Sequence, residues 1–110
     1  MKDKYYIHVK NHVDGLSDEF REIYGERVLE KVFPELDLFV HPIMDGIGKI
    51  QGWLVSEGKS GAAFTPTAAD TKEKSILLAL DLILKNGVDR TIAKTEKMIT
   101  KHGLSPRYKP

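Results

Sequence analysis

The 110-residue chain contains no cysteine. That absence excludes disulfide frameworks, thiol nucleophiles and cysteine-based zinc sites, so stability must come from a packed core. Long apolar runs are missing too: none approaches the ~20 residues that a membrane-spanning helix needs. The start, Met1-Lys-Asp-Lys-Tyr-Tyr6, lacks the apolar core of a secretory signal. No internal repeat, low-complexity segment or linker interrupts the chain. These absences lead to the expectation of a soluble, cytoplasmic protein with no membrane contact.

What is present is ordinary for a globular protein. Hydrophobic residues make up 41% and charged residues 30% of the chain. The length suits a single domain, residues 1–110, that buries one core without metals. The formal net charge of +1 hides an asymmetry: residues 1–70 carry 8 Lys/Arg against 12 Asp/Glu, and residues 71–110 carry 9 against 4. The C-terminal part therefore presents the positive charge.

Periodicity divides the chain into elements. Tyr5, Ile7 and Val9 alternate with Tyr6, His8 and Lys10, the pattern of a half-buried strand, and 11–15 reads as a turn. Ser17 looks like an N-cap, and Phe20, Ile23, Tyr24, Val28 and Val32 fall near one face at helical spacing. A first helix is therefore expected, ended by Pro34, with Glu22, Glu26 and Glu30 as a solvated outer row. Leu36, Leu38 and Val40 alternate into a strand ending at Pro42. The Asp45-Gly46 turn leads to a strand over 49–56, and a short fourth strand over 62–65 is closed by Pro66. A helix capped by Asp70 and ended at Asn86-Gly87 follows, then a last helix over 89–102. The tail 104–110 is polar and is expected to fray. The order β-α-β-β-β-α-α predicts an α+β fold, with a four-stranded antiparallel or mixed sheet and its helices packed mainly on one face.

The helix beginning at Thr71-Lys-Glu-Lys-Ser is apolar almost all round, with only a narrow stripe of Lys74, Asp81 and Lys85. Such a helix must be covered on several sides. The sheet and the last helix cover part of it. Leu77, Leu78, Leu82 and Leu84 remain as candidates for an interface with a protein partner or a second copy, a symmetric homodimer being the simplest arrangement.

The last helix carries Arg90, Lys94, Lys97 and Lys101 at i, i+4, i+7 and i+11, opposite Val88, Ile92 and Ile99. Lys72 and Lys74 add charge at the start of the preceding helix. These six are candidate phosphate contacts, although a solvated outer face has the same spacing and interleaved aromatics are lacking. As read, residues 17–86 run helix, three strands, helix. The stretch Thr71-Lys-Glu-Lys-Ser-Ile76, with Ala79 after it, resembles the second helix of the double-stranded-RNA-binding domain, which opens Ser-Lys-Lys-x-Ala-Lys. Glu73 and Ile76 stand where that family carries lysines, and Thr65-Pro-Thr-Ala-Ala69 replaces its Gly-rich lead-in. The resemblance implies topology and not phosphate contacts.

Asp45 followed by Glu57-Gly-Lys59 resembles the Asp…Glu-x-Lys signature of restriction-like nucleases. That resemblance implies Mg²⁺ held by Asp45 and Glu57, Lys59 aiding the attacking water, and Glu19 as a further carboxylate. Gly58 departs from it, because the middle position of that signature is apolar and lies within a strand. Gly58-Lys59-Ser60 is no phosphate loop, since Trp53 stands where the earlier glycine belongs, and Gly46-Ile-Gly48 precedes a strand rather than a helix. His8 and His12 stand four apart, but His8 is on a strand and the pair lacks the Glu of a zinc-protease helix; His41 and His102 have no ligand-spaced carboxylate or cysteine, and Ser17, Ser56 and Ser60 lack a nucleophile elbow. No cofactor or metal site is expected. The leading expectation is a small non-enzymatic interaction domain acting through a protein surface, then nucleic-acid binding through the basic stripe, with a metal-dependent nuclease a distant third.

Overall fold

Alternation at the N-terminus builds a strand, β1, over Lys2–Lys10. It pairs antiparallel with β2, Asp18–Val28, in an unbroken register from Lys2 opposite Glu26 to Lys10 opposite Asp18. Two more strands follow, β3 over Leu38–Met44 and β4 over Ile50–Glu57, and the sheet order is β1-β2-β3-β4. Helices α1, Lys72–Asn86, and α2, Val88–His102, come after the sheet, and a 3-10 turn covers Pro106–Tyr108. The computed structural model describes residues 2–10 and 18–108. The expected turn at 11–15, the cap at Ser17 and the side chain of His12 lie outside them. The α+β class and the single four-stranded antiparallel sheet stand as expected.

The composition of that sheet differs in two places. Residues 18–28 form β2 and not a helix. Phe20, Ile23, Tyr24 and Val28 satisfy a helical period, but all four also favour strands, and Gly25 weakens a helix at mid-length. Pairing along all of β1 outweighs the local pattern, with Lys4 3.9 Å from Glu22 across the ladder. The likeness to the double-stranded-RNA-binding topology goes with that helix. Residues 62–65 form no strand of their own. They run beside β4 through isolated contacts, Phe64 N–H to Val55 C=O at 2.8 Å and a bridge between Ser56 and Ala63.

β3 continues through Pro42 to Met44. Trp53, opposite Pro42, turns its N–H and C=O to Ala69 at 2.8 and 2.9 Å, so the Pro42–Trp53 pair exchanges no ladder bonds. The missing proline N–H therefore faces the side that β2, last paired at Glu26–Val40, has already left.

One face of the sheet carries Leu38, Val40 and Val55, which pack with Ala79 and Ile83 of α1 and with Leu36 into the core. Each such aliphatic side chain stabilises the fold by about 1.5–3 kcal/mol when fully buried. Val88 and Ile92 of α2 pack on the edge of the same cluster, so both helices serve one face. Thr71, not Asp70, is the N-cap of α1: its Oγ1 accepts from Lys74 N–H at 3.1 Å, while Asp70 pairs with the Lys74 ammonium. Gly87 ends α1 as expected, its N–H donating to Ile83 C=O at 2.7 Å, and at φ 89° it also opens α2.

The other face is sealed by aromatic and polar groups. Tyr5, Phe39, His41 and Ser56 are all buried there. The loop after β4 swings across to β1, where His8 N–H donates to Gly61 C=O at 2.8 Å. The tail is described as far as Tyr108 and lies against β1 and the loop after β4. Ser105, fully buried, donates its N–H to Lys59 C=O at 2.7 Å, and Arg107 reaches Asp3 at 2.8 Å and covers the Tyr5 ring.

Candidate functional site

The one-residue joint at Gly87 decides where a groove opens. Thr91, in the first turn of α2, donates both N–H and Oγ1–H to Gly87 C=O, at 3.2 and 3.0 Å. With no loop between them, α1 and α2 diverge from this point, and residues 62–66 run alongside. Between the three lies a groove of about 610 Å³. Phe64, Pro66, Leu82, Ala93 and Met98 give it an apolar lining, and Arg90, Lys94 and Lys97 contribute three cations. None of Phe64, Ala93 and Met98 stands out in the sequence, because the groove is made by elements that meet only in the fold.

The six candidate cations divide. Lys72 is held by Glu26 at 2.8 Å and lies 5.8 Å from the Trp53 ring centroid; Lys74 is held by Asp70 at 3.1 Å. Glu26 and Asp70 are kept below the usual carboxylate range first by these lysine hydrogen bonds. Arg90, Lys94, Lys97 and Lys101 are exposed and, among the described residues, have no hydrogen-bond or ion-pair partner. The four candidate leucines divide as well. Leu82 lines the groove; Leu78, one turn earlier on the same face of α1, is 40% exposed. Leu77 and Leu84, 63% and 70% exposed, lie on the opposite flank of α1.

Asp45, Glu57 and Lys59 do not converge. Asp45 belongs to the turn between β3 and β4, where its carboxylate accepts from Ile47 N–H, Lys49 N–H and Gln51 Nε2, each at 2.9 Å. Those bonds, Lys49 first, hold its pKa down. Glu57 lies at the far end of the same hairpin, opposite Leu38. It is buried and accepts from Lys59 N–H at 3.0 Å and Ser60 N–H at 2.7 Å, and burial pushes its pKa up. Glu19 is near the start of β2, opposite Val9. Among the described residues no group of three or more His, Asp or Glu side chains is placed to hold a metal ion.

The carboxylate that does reach Glu57 is Asp37, and its charge contributes to raising the Glu57 pKa. Asp37 is 8% exposed; Arg27 Nε lies 3.6 Å from Oδ1, and Oδ2 has no hydrogen-bond partner. Burial raises its pKa against the pull of Arg27, Arg107 and Lys59. The bare backbone of Gly58 makes room for it, since a Cβ there would come within 2.8 Å of Asp37 Cγ. Asp37 precedes the strand that pairs with Glu57, and only the register reveals their closeness.

His41 and Ser56 form a second buried pair, Nε2 to Oγ at 2.9 Å, with Nδ1 3.1 Å from Pro42 C=O. Burial lowers the His41 pKa, so the ring is neutral at pH 7. A carbonyl can only accept, so Nδ1 carries the proton and Nε2 accepts from the Ser56 hydroxyl. The geometry resembles a nucleophile and base, but both side chains are sealed, at 2% and 1% exposure, and the pair serves the core.

Comparison of the chain with protein-family models, with curated proteins and with solved structures finds no match. Among the described residues no helix is long and apolar enough to cross a membrane. The groove lining holds no histidine, carboxylate or lysine–carboxylate pair to move a proton. What the groove offers is apolar area beside fixed positive charge.

Proposed function

We propose that this domain is a non-enzymatic interaction module that holds a protein partner in the groove between α1, α2 and residues 62–66. One observation carries the reading. Arg90, Lys94 and Lys97 of α2, which among the described residues have no ion-pair partner, border an apolar concavity lined by Phe64, Pro66, Leu82 and Met98. Unpaired cations beside an apolar concavity supply both the anchor area and the polar rim that binding surfaces need.

Selection from a displayed random-peptide library tests this, run in parallel on the wild type and on Ala93→Trp. Ala93 is exposed on the groove wall, so the indole fills the groove without entering the core. Peptides that bind the wild type and lose binding to A93W support the reading. Binders indifferent to A93W, or none, overturn it. Nucleic-acid binding is the second reading, favoured by Lys101, which continues the row beyond the groove to a length of about 16 Å along α2. Duplex binding that weakens steeply with salt, without groove-dependent peptides, would favour it.

A further inference from the structure

We infer that the occupant of the groove is an acidic amphipathic helix, lying along α2 with its apolar side on Phe64, Leu82 and Met98 and its carboxylates on Arg90, Lys94 and Lys97. This rests on the reading of the groove as a protein-binding surface. The cations stand at i, i+4 and i+7 on a regular helix, so they repeat with the period of a helix face. A partner helix carrying carboxylates at that spacing meets each cation once per turn, and a helix laid in an apolar groove is an established mode of peptide recognition. On α1, Leu78 lies one turn before the groove-lining Leu82, on the same face of the helix.

The lining separates this occupant from other anions. Phe64 is the single aromatic of the groove, and alanines, proline, leucine and methionine form the rest of its apolar surface. Bases need aromatic faces or directed donors, and Arg90 and Asn86 are the only planar side-chain donors in the lining. Aliphatic anchors need neither. A lipid surface is flat, whereas this apolar area is concave and bordered on one side by the cation row. Methionine adapts to anchors of differing shape, which suits a helix recognised by pattern rather than by one residue.

The test is an amide-resolved NMR titration of the full chain with a synthetic peptide of about four helical turns, with glutamates at i, i+4 and i+7 and leucines on the adjoining face. Shifts concentrated in 62–66 and 90–98, weakening at least about tenfold between ~0.05 and ~0.5 M salt, are expected. Lys94→Glu with Lys97→Glu, both exposed and outside the core, should keep the circular dichroism spectrum, lose that binding at least about tenfold, and gain binding to the same peptide with lysine for every glutamate. Wild-type binding to the lysine peptide overturns the charge assignment. Equal binding after every leucine is replaced by serine overturns the apolar anchor. Binding to a duplex of similar length or to anionic phospholipid vesicles, with no peptide shift, overturns the helix in favour of those ligands. Library peptides that depend on the groove yet are neutral or basic leave the protein-binding reading standing and remove this inference alone.

Discussion

Tyr5 of β1 lies flat on Phe39 of β3, ring centroids 4.1 Å apart and planes 9° from parallel, although β2 runs between their strands. The rings can meet because Gly25 of β2 has no side chain. A Cβ there would stand 2.8 Å from Phe39 Cδ2 and 2.7 Å from Val40 C=O. Arg107 closes the stack from the other side, its guanidinium 4.1 Å from the centroid of the Tyr5 ring. The glycine that costs a helix its propensity is what lets this sheet bury two aromatics on its helix-free face.

Gly25→Ala should therefore destabilise the fold by about 1–3 kcal/mol, the usual cost of overfilling a packed site. Urea unfolding will show it as a lower midpoint at an unchanged slope. An unchanged midpoint would mean that the stack does not depend on the gap.

Removing the Arg107 side chain should loosen β1. It holds Asp3 and the Lys4 carbonyl as well as the Tyr5 ring. Arg107→Ala is expected to lower the thermal midpoint and to speed amide exchange across residues 4–6, leaving α1 protected. Exchange spread evenly over the chain would contradict a local clasp.

Asp37→Asn should raise stability at pH 7. Burial lifts the folded pKa of Asp37 above its ordinary 3.8, so the native state binds the proton more tightly than the unfolded chain. Native stability from this group then falls as pH rises from 3.8 through the folded pKa. Asparagine has no such slope. The advantage of the variant in thermal midpoint should grow with pH through that window and vanish below it; an advantage independent of pH would implicate packing instead.

His41 acts with the opposite slope. Its folded pKa lies below the ordinary 6.5, so between the two values the unfolded chain binds more protons. Its contribution is intact above 6.5 and is lost as pH falls toward the folded pKa. Denaturation titrations should show stability declining on acidification through this window, and His41→Gln should flatten the decline. A slope that survives the substitution would place the acid sensitivity elsewhere.

The two flanks of α1 should respond differently to change. Leu84→Glu and Leu77→Glu, at exposed positions, should alter monomer stability by no more than about 0.5 kcal/mol. Ile83→Ala, at 1% exposure, should cost about 2–5 kcal/mol. Sedimentation at micromolar concentration reads the other property of this flank: a wild-type dimer that L84E converts to monomer would show that a second copy covers it.

Much of the fold was legible because its signals are local. Alternation marked β1 and β3, the Asp45-Gly46 turn marked the approach to β4, Asn86-Gly87 marked the end of α1, and the run from Thr71 marked α1 within one residue of its cap. Residues 18–28 were not, because their apolar spacing satisfies a helix and a strand alike, and only the partner strand arbitrates. The cation row on α2 was visible from its period. Which of its members are available was not, since Lys72 and Lys74 are taken by Glu26 and Asp70. Of these, Glu26 is 46 positions from Lys72 in the chain.

By itself, then, the sequence determines a cysteine-free α+β domain with an apolar α1, a basic α2 and a turn at Asp45. Periodicity and caps depend on neighbours a few bonds away. Only the tertiary structure decides that β2 is a strand, that Glu57 sits by Asp37 rather than Asp45, and that α1, α2 and residues 62–66 enclose a groove. Each of these rests on pairs distant in sequence, whose meeting depends on register and packing and not on local preference.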